Sequence, residues 1–463
     1  MKLRKILSAV IAGAAVMPLW GASPKYIFYC IGDGMGPGAV MAAETYNRMV
    51  RKSTEPLLMM QFPVASMSTT YSADSPVTDS AAAGTALSSG YKTKNSMLGM
   101  NPDTVAVNSI TVPLKEAGYG IGLLTNVCPD DATPAAFYAH VPNRSSYYQI
   151  GKQAAQSDIE FIGGSRWRGA WKKGKPTDLM KIMAENGVQT ARGLDEFSRL
   201  TSRRVVLLNT DTVNNNMGHT IDSIPDVLTL ADLTKACISH LMKHTPDKFF
   251  MMIEGGNIDW SGHANDGGTI VKDVISFDET LRIVYDFYLQ HPDETLIVVT
   301  ADHETGGLSV GSGATGYNAY LKYIDYQKVS KAVFSDWCKE QLKSNRNMTW
   351  EEMKAYLTDN FGFWSNVPVS EKAEAALREK FDKTFVKHHG EDQKTLYNSF
   401  NEFAVEVFDV MSRVCGFGWT TPNHSGNPVP VYAIGVDAEL FGSQPDNTEI
   451  PMLILGSALG QKQ

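Results

Sequence analysis

The chain has 463 residues, 43% of them hydrophobic and 20% charged, which excludes a disordered polypeptide and a small disulfide scaffold. The length allows two or three average domains or one large α/β domain with insertions. A formal charge of −8, with no basic block, argues against nucleic acid as a partner; a small phosphate ester stays open, because a few cations can reverse the local field.

The first element is a targeting segment. Lys2, Arg4 and Lys5 precede an apolar run from Ile6 to about Leu19, then Gly21, Ala22 and Ser23. That is the order of a secretory signal peptide, taken here as residues 1–22, and it predicts a periplasmic or secreted protein. The run is short for a transmembrane helix, and no later segment is long enough to span a bilayer. Trp20 is bulky where cleavage favours a small residue, so the cleavage position stays open. Loss of the three cations would take the charge from −8 to −11. No cysteine ends the apolar run, which argues against a lipoprotein. The five cysteines, at 30, 128, 237, 338 and 415, are far apart and odd in number, so they form no disulfide framework.

Strands and helices then alternate. KYIFYCIGD is a predicted strand, followed by Pro37 and a helix to about Val50. PVASMSTTYS is the next strand, and a helix is expected from about Ser80 to Ser89. GIGLLTNV, IEFIGG, RRVVLLN, KFFMMIEGG, TLIVVTADH and VPVYAIGV are further apolar runs of strand length. Amphipathic helices are expected at 226–244 and 270–289. The order predicts a doubly wound α/β fold, a mostly parallel sheet with helices on both faces. About 110 residues interrupt the pattern. The region 312–418 has helical stretches at 327–343, 370–387 and 394–413 and a capping box from Thr349 to Glu352. It is expected to be a helical insert carried on a single domain of residues 23–463.

In such sheets ligands bind beyond the carboxyl ends of the strands. The polar residues there are Asp33, Asp79 and Ser80, Asp131 and Thr133, Glu254, Asp259 and His263, Asp302 and His303, and, before the last strand, His424. Singly, most have an ordinary explanation: a strand-end aspartate caps a helix, and a loop histidine is solvated. Gathered on one sheet edge, carboxylates, imidazoles and hydroxyls suit Zn²⁺ and Mg²⁺, and the absence of cysteine argues against a structural thiolate site. Ser80 opens a small-residue helix, SAAAGTAL, whose N–H groups and dipole favour an incoming anion. No histidine lies in a nearby elbow motif, so metal activation is the economical way to make Ser80 a nucleophile.

At these residues the sequence resembles the alkaline phosphatase family. The resemblance rests on SPVTDSAAAGTALSSGYKTKNSMLGM, DATPAAFYAHVPNR, IEFIGGSR, EGGNIDWSGHAND, TADHETGG and NHSG. It covers about 25–310 and 420–460, and not the insert with specificity. It implies hydrolysis of phosphate monoesters through a phosphoserine at Ser80. It also implies a first zinc on Asp259, His263 and His424, and a second on Asp33, Asp302 and His303. A magnesium would share Asp33 and take Thr133, Glu254 and, directly or through water, Asp131. The second zinc would lower the pKa of Ser80 and the first would stabilise the leaving alkoxide. Arg144 would clamp two phosphate oxygens, for which its planar fork suits better than lysine. The best-known bacterial member has, after the aspartate corresponding to Asp259, a lysine that reaches phosphate through water; here that residue is Trp260, so a cation is missing. Family members are commonly homodimers, which is the expectation here. Two rival readings are a phosphodiesterase of the same superfamily, which usually lacks Arg144 and the magnesium site, and a non-catalytic metal- or phosphate-binding protein, which would need a missing ligand.

Overall fold

The computed structural model describes residues 23–461 apart from 212–213, 345–346 and 444–445, so the targeting segment lies outside the described residues. Nine strands form the central sheet: β1 (Tyr26–Ile31), β2 (Val64–Ser68), β3 (Gly120–Thr125), β4 (Phe161–Gly164), β5 (Gln189–Arg192), β6 (Val205–Leu208), β7 (Phe249–Glu254), β8 (Thr295–Thr300) and β9 (Val429–Gly435). Their spatial order is β2-β9-β8-β1-β7-β3-β4-β6-β5. β9 pairs antiparallel with both neighbours and every other pairing is parallel. Reversal of β9 has a functional consequence: its start lies at the edge where the other strands end, so His424, just before it, reaches that edge. Edge strand β5 was not expected from the sequence; its half-exposed QTAR lacks an apolar run.

The central strands are buried on both faces, as parallel strands covered by helices should be. Tyr26, Phe28 and Cys30 point into one hydrophobic layer, with α1 (Pro37–Met49), α3 (Leu230–His244) and α5 (Gly267–Gln290). Ile27, Tyr29 and Ile31 point into the other, which includes Leu87 of α2 (Ser80–Ser89) and Ile450 and Ile454 of α10 (Glu449–Leu459). All five cysteines are buried and free. Among the described residues, no helix is long and apolar enough to cross a membrane.

Between β8 and β9 the insert carries α6 (Lys331–Lys343), α7 (Trp350–Phe361), α8 (Glu371–Phe381) and α9 (Glu402–Cys415). The capping box at Thr349 and Glu352 is present. Two expectations need correction. Residues 321–326 form a 3-10 turn and α6 begins only after Ser330, whose hydroxyl accepts from the Val333 amide. The stretch expected as a helix from 394 starts instead as a hairpin, Asp392–Lys394 against Ser399–Asn401. Asn401 then caps α9 by accepting from the Phe403 amide at 3.0 Å. A strong cap placed inside an amphipathic stretch sets the helix start there and frees the preceding residues for a turn. The insert is tied to the body of the fold: the Ser330 amide donates to Asp222 at 2.7 Å and the Lys331 ammonium to the Ala264 carbonyl at 2.8 Å.

Candidate active site

The turns after β1, β7 and β8, three adjacent strands, bring Asp33, Asp259 and Asp302 together. The approach is close enough to require glycine at 34: φ is +69°, and a Cβ there would lie 2.9 Å from the Asp259 Cα. The Gly34 amide donates to Asp302 at 3.1 Å, which fixes the carboxylate against the first turn.

Asp33, Asp302 and His303 present ligand atoms within 4.8 Å of one another, and so do Asp259, His303 and His424. His303 belongs to both clusters, so the two adjoin. His263 completes the second: its Nε2 lies 3.1 Å from His424 Nε2 and 3.5 Å from Asp259 Oδ2. It sits at the end of α4 (Asn257–His263), one turn after Asp259. His263 Nδ1 donates to the Pro422 carbonyl at 2.6 Å and His424 Nδ1 to the Thr78 carbonyl at 2.8 Å. In its neutral form each ring turns its Nε2 lone pair inward, so that two lone pairs would face one another, an arrangement that a shared cation relieves. Thr305, which the sequence did not single out, places its hydroxyl between His303 and Asp259 and donates to the latter.

The carboxylates point the same way. Asp33 Oδ1, Glu254 Oε2, Asp259 Oδ2 and Asp302 Oδ2 are buried without a hydrogen-bond partner. Burial pushes Glu254 up to about 8 and Asp302 up to about 7, and raises Asp33 well above the carboxylate range, with neighbouring carboxylates adding to the effect. Burial would raise Asp259 too, but His263, His424 and His303 hold it low. The donor set, all oxygen and imidazole nitrogen, fits divalent cations. Thr133 stands 3.5 Å from Asp33, and Glu254 ends β7 beside them.

Ser80 is fully buried at the first position of α2. Its Oγ is 3.1 Å from His303 Nε2. Asp79 caps the helix, accepting from the Ala82 amide at 2.9 Å. The helix is made of small residues because it is wedged against the Thr133 segment: a Cβ at Gly84 would lie 3.2 Å from Ala136 Cβ. Arg144 enters from a loop whose amide donates to the Ser96 carbonyl. Its guanidinium reaches Asp79 at 3.3 Å, Asp131 at 3.2 Å and the Tyr397 hydroxyl at 3.2 Å. A cleft of about 600 Å³ lies over Arg144.

The structure thus gathers all of Asp33, Ser80, Asp131, Thr133, Arg144, Glu254, Asp259, His263, Asp302, His303 and His424 at one edge of the sheet. His388 and His389 lie apart, exposed in the segment between α8 and the hairpin. Sequence reasoning missed Arg168 and Tyr397. Arg168 follows β4 closely, so attention to every strand end would have found it. Tyr397 sits in the turn of the unexpected hairpin and carries no sequence signal.

Comparison with known proteins agrees with this geometry. A model of the family described as alkaline phosphatase matches residues 24–459. Alkaline phosphatase 3 of Bacillus subtilis is 30% identical over 444 residues, 92% of this chain and 87% of that protein. The cold-active alkaline phosphatase of Shewanella sp. gives a TM-score of 0.78 at 26% identity, covering 93% of this chain and 99% of that one. The alkaline phosphatase of Thermus thermophilus has the same fold, with a TM-score of 0.78 at 23% identity over 98% and 96%. Likeness of this extent spans the body of the fold and the insert together, so the catalytic edge is read in its full context: the chain belongs to the alkaline phosphatase family and is a metal-binding enzyme that hydrolyses phosphate monoesters.

Proposed function

We propose that hydrolysis runs through a phosphoserine at Ser80, with two Zn²⁺ and one Mg²⁺ as cofactors. The observation that carries this reading is the place of Ser80: its hydroxyl opens a buried helix 3.1 Å from His303, the residue shared by both ligand clusters. Asp259, His263 and His424 would hold the first zinc, and Asp33, Asp302 and His303 the second. Asp33, Thr133, Glu254 and Asp131, the last directly or through water, would hold the magnesium. Bound there, the cations would lower the pKa of a hydroxyl and stabilise the attacking and leaving oxygens of an in-line displacement.

The chain's own residues do the rest. The start of α2 offers its free amides and its dipole to the phosphate. Asp79 holds both the helix cap and Arg144, so nucleophile and clamp are set by one carboxylate. Arg144 binds two phosphate oxygens. Ser80 attacks phosphorus as the alkoxide departs; water then cleaves the phosphoserine and releases inorganic phosphate. The presence of Arg144 and the full magnesium set favours this over a diesterase, and the complete ligand set favours it over a non-catalytic binder.

The reading extends to one catalytic domain over 23–463 with the 312–418 insert at its rim, to export by the targeting segment into the periplasm or medium, and to a homodimer. The test is metal content and p-nitrophenyl phosphate turnover before and after chelation, with zinc and magnesium restored separately. Two zinc and one magnesium per chain, loss of turnover on chelation and recovery with zinc are expected. Full turnover by metal-free protein, or faster turnover of bis-p-nitrophenyl phosphate than of the monoester, would sink the reading.

A further inference from the structure

Trp260 lines the cleft without a charge, yet the cleft is not short of cations. Asp131 lies between two guanidinium groups: Arg144 donates to its Oδ1 at 3.2 Å and Arg168 reaches its Oδ2 at 3.1 Å. Both arginines line the same cleft. Their side chains are only 12% and 15% exposed, so neither is a freely solvated surface charge.

Arg168 is held by contacts to its backbone, its NH1, its NH2 and its ring-facing side. The buried carboxylate of Asp130 accepts from the amides of Arg168 at 3.1 Å and Gly169 at 2.7 Å, which pins the turn after β4. Asp130 thus fixes the backbone of Arg168 while the adjacent Asp131 fixes its guanidinium. The Tyr147 hydroxyl accepts from NH1 at 2.8 Å. The guanidinium carbon lies 5.8 Å from the centre of the Trp260 ring. Trp260 in turn stacks on Tyr397 at 4.8 Å and 13°, and Tyr397 accepts from Arg144. Asp131, Arg144, Tyr397, Trp260 and Arg168 therefore form a closed circuit, and all of them but Asp131 line the cleft.

Charge balance says what the circuit does. Asp79 and Asp131 both contact Arg144, and counting these side chains alone, apart from any bound cation, that arginine would leave one net negative charge. A phosphate monoester is a dianion at alkaline pH, so an uncompensated carboxylate there opposes binding. Arg168 removes that charge and keeps Asp131 from drawing Arg144 wholly to itself. We propose that Arg168 is the second cation of the phosphate site, a positioning residue that neutralises Asp131 from the turn after β4. The proposal rests on the reading of Arg144 as the phosphate clamp.

The test is the inhibition constant of inorganic phosphate, with KM and kcat for p-nitrophenyl phosphate, in Arg168→Ala, Arg168→Gln and Arg168→Lys, beside Arg144→Ala. Metal content and far-UV circular dichroism are measured on each. Arg168→Ala and Arg168→Gln should weaken phosphate inhibition and raise KM about tenfold, less than the direct contact of Arg144 is worth, with kcat changed by less than about threefold. Arg168→Lys should recover most of the loss, because charge rather than shape is the agent. Should Arg168→Gln bind phosphate like the parent, or Arg168→Lys fare no better than Arg168→Gln, the proposal is overturned. If Arg144→Ala also leaves phosphate inhibition unchanged, it is the phosphate clamp itself that falls; if Arg144→Ala weakens inhibition and Arg168→Gln does not, only the role of Arg168 falls.

Discussion

At the carboxyl edge of the sheet, five carboxylates and three histidines share a space, and each of the five carboxylates has an oxygen with no hydrogen-bond partner. In the insert, Ser330, Thr349, Ser370 and Asn401 each cap a helix. There Phe334 packs with Trp337, Tyr356, Phe361 and Phe403 in an aromatic cluster. The insert is built as a stable helical body should be, with capped ends and an apolar interior. The edge is built against stability, since buried unpaired charge is costly unless a partner arrives. The rigid strands and fully packed sheet around it hold the like charges in place. Local violation of the rules of stability thus marks the chemistry, and local obedience marks the support.

The largest effect expected on this contrast is at the edge. Ser80→Ala deletes one buried hydroxyl and leaves the cap by Asp79 intact. Turnover of p-nitrophenyl phosphate should fall at least about a thousandfold, as removal of a nucleophile does elsewhere. Zinc content and melting temperature should stay near those of the parent. Acid quenching with radiolabelled phosphate should trap no phosphoenzyme; a variant that still forms one would show that Ser80 is not the nucleophile.

Much of the edge was legible because parallel α/β sheets put function after strands, and the strands that carry it are apolar runs ending in polar turns. Asp33, Glu254, Asp302 and His303 all follow from that rule. His424 needed more: it precedes its strand, and only the reversal of β9 brings it to the same edge. The helices of the insert were legible in outline, while its hairpin was not, because DQK and SFN are too short and too mixed to carry a period of two. Tyr397, in the turn between them, depends wholly on tertiary placement. Arg168 stood within reach of the strand-end rule, but its partners Asp130 and Asp131 come from another strand, and no spacing in the sequence records that pairing.

A smaller effect sharpens the boundary between the regions. His388→Gln with His389→Gln changes two exposed side chains of the insert, and zinc stoichiometry should be unchanged. His424→Gln removes an Nε2 that faces His263 at 3.1 Å and Asp259 at 3.5 Å. It should weaken one zinc site and leave the other, seen as loss of about one zinc per chain during dialysis against a mild chelator. Zinc loss from the double variant and none from His424→Gln would move the metal chemistry into the insert and overturn the division.

The smallest effect lies where the two regions touch. Tyr397 belongs to the insert, yet its hydroxyl accepts from Arg144 at 3.2 Å and its ring stacks on Trp260. Tyr397→Phe keeps the ring and removes only the acceptor. A hydrogen bond to a charged donor that Asp79 and Asp131 also hold should be worth about 1 kcal/mol here, or about fivefold in phosphate affinity. Arg144 should keep its place through the two carboxylates, so kcat should change little. Tyr397→Ala removes the stack as well and frees Trp260 to turn, so its loss should exceed that of the phenylalanine variant. Equal and negligible effects in both, read from phosphate inhibition, would make the insert a bystander to binding. A graded loss, with unchanged zinc content, would mean that the insert takes part in phosphate recognition through one side chain while leaving the metal ligands to the sheet.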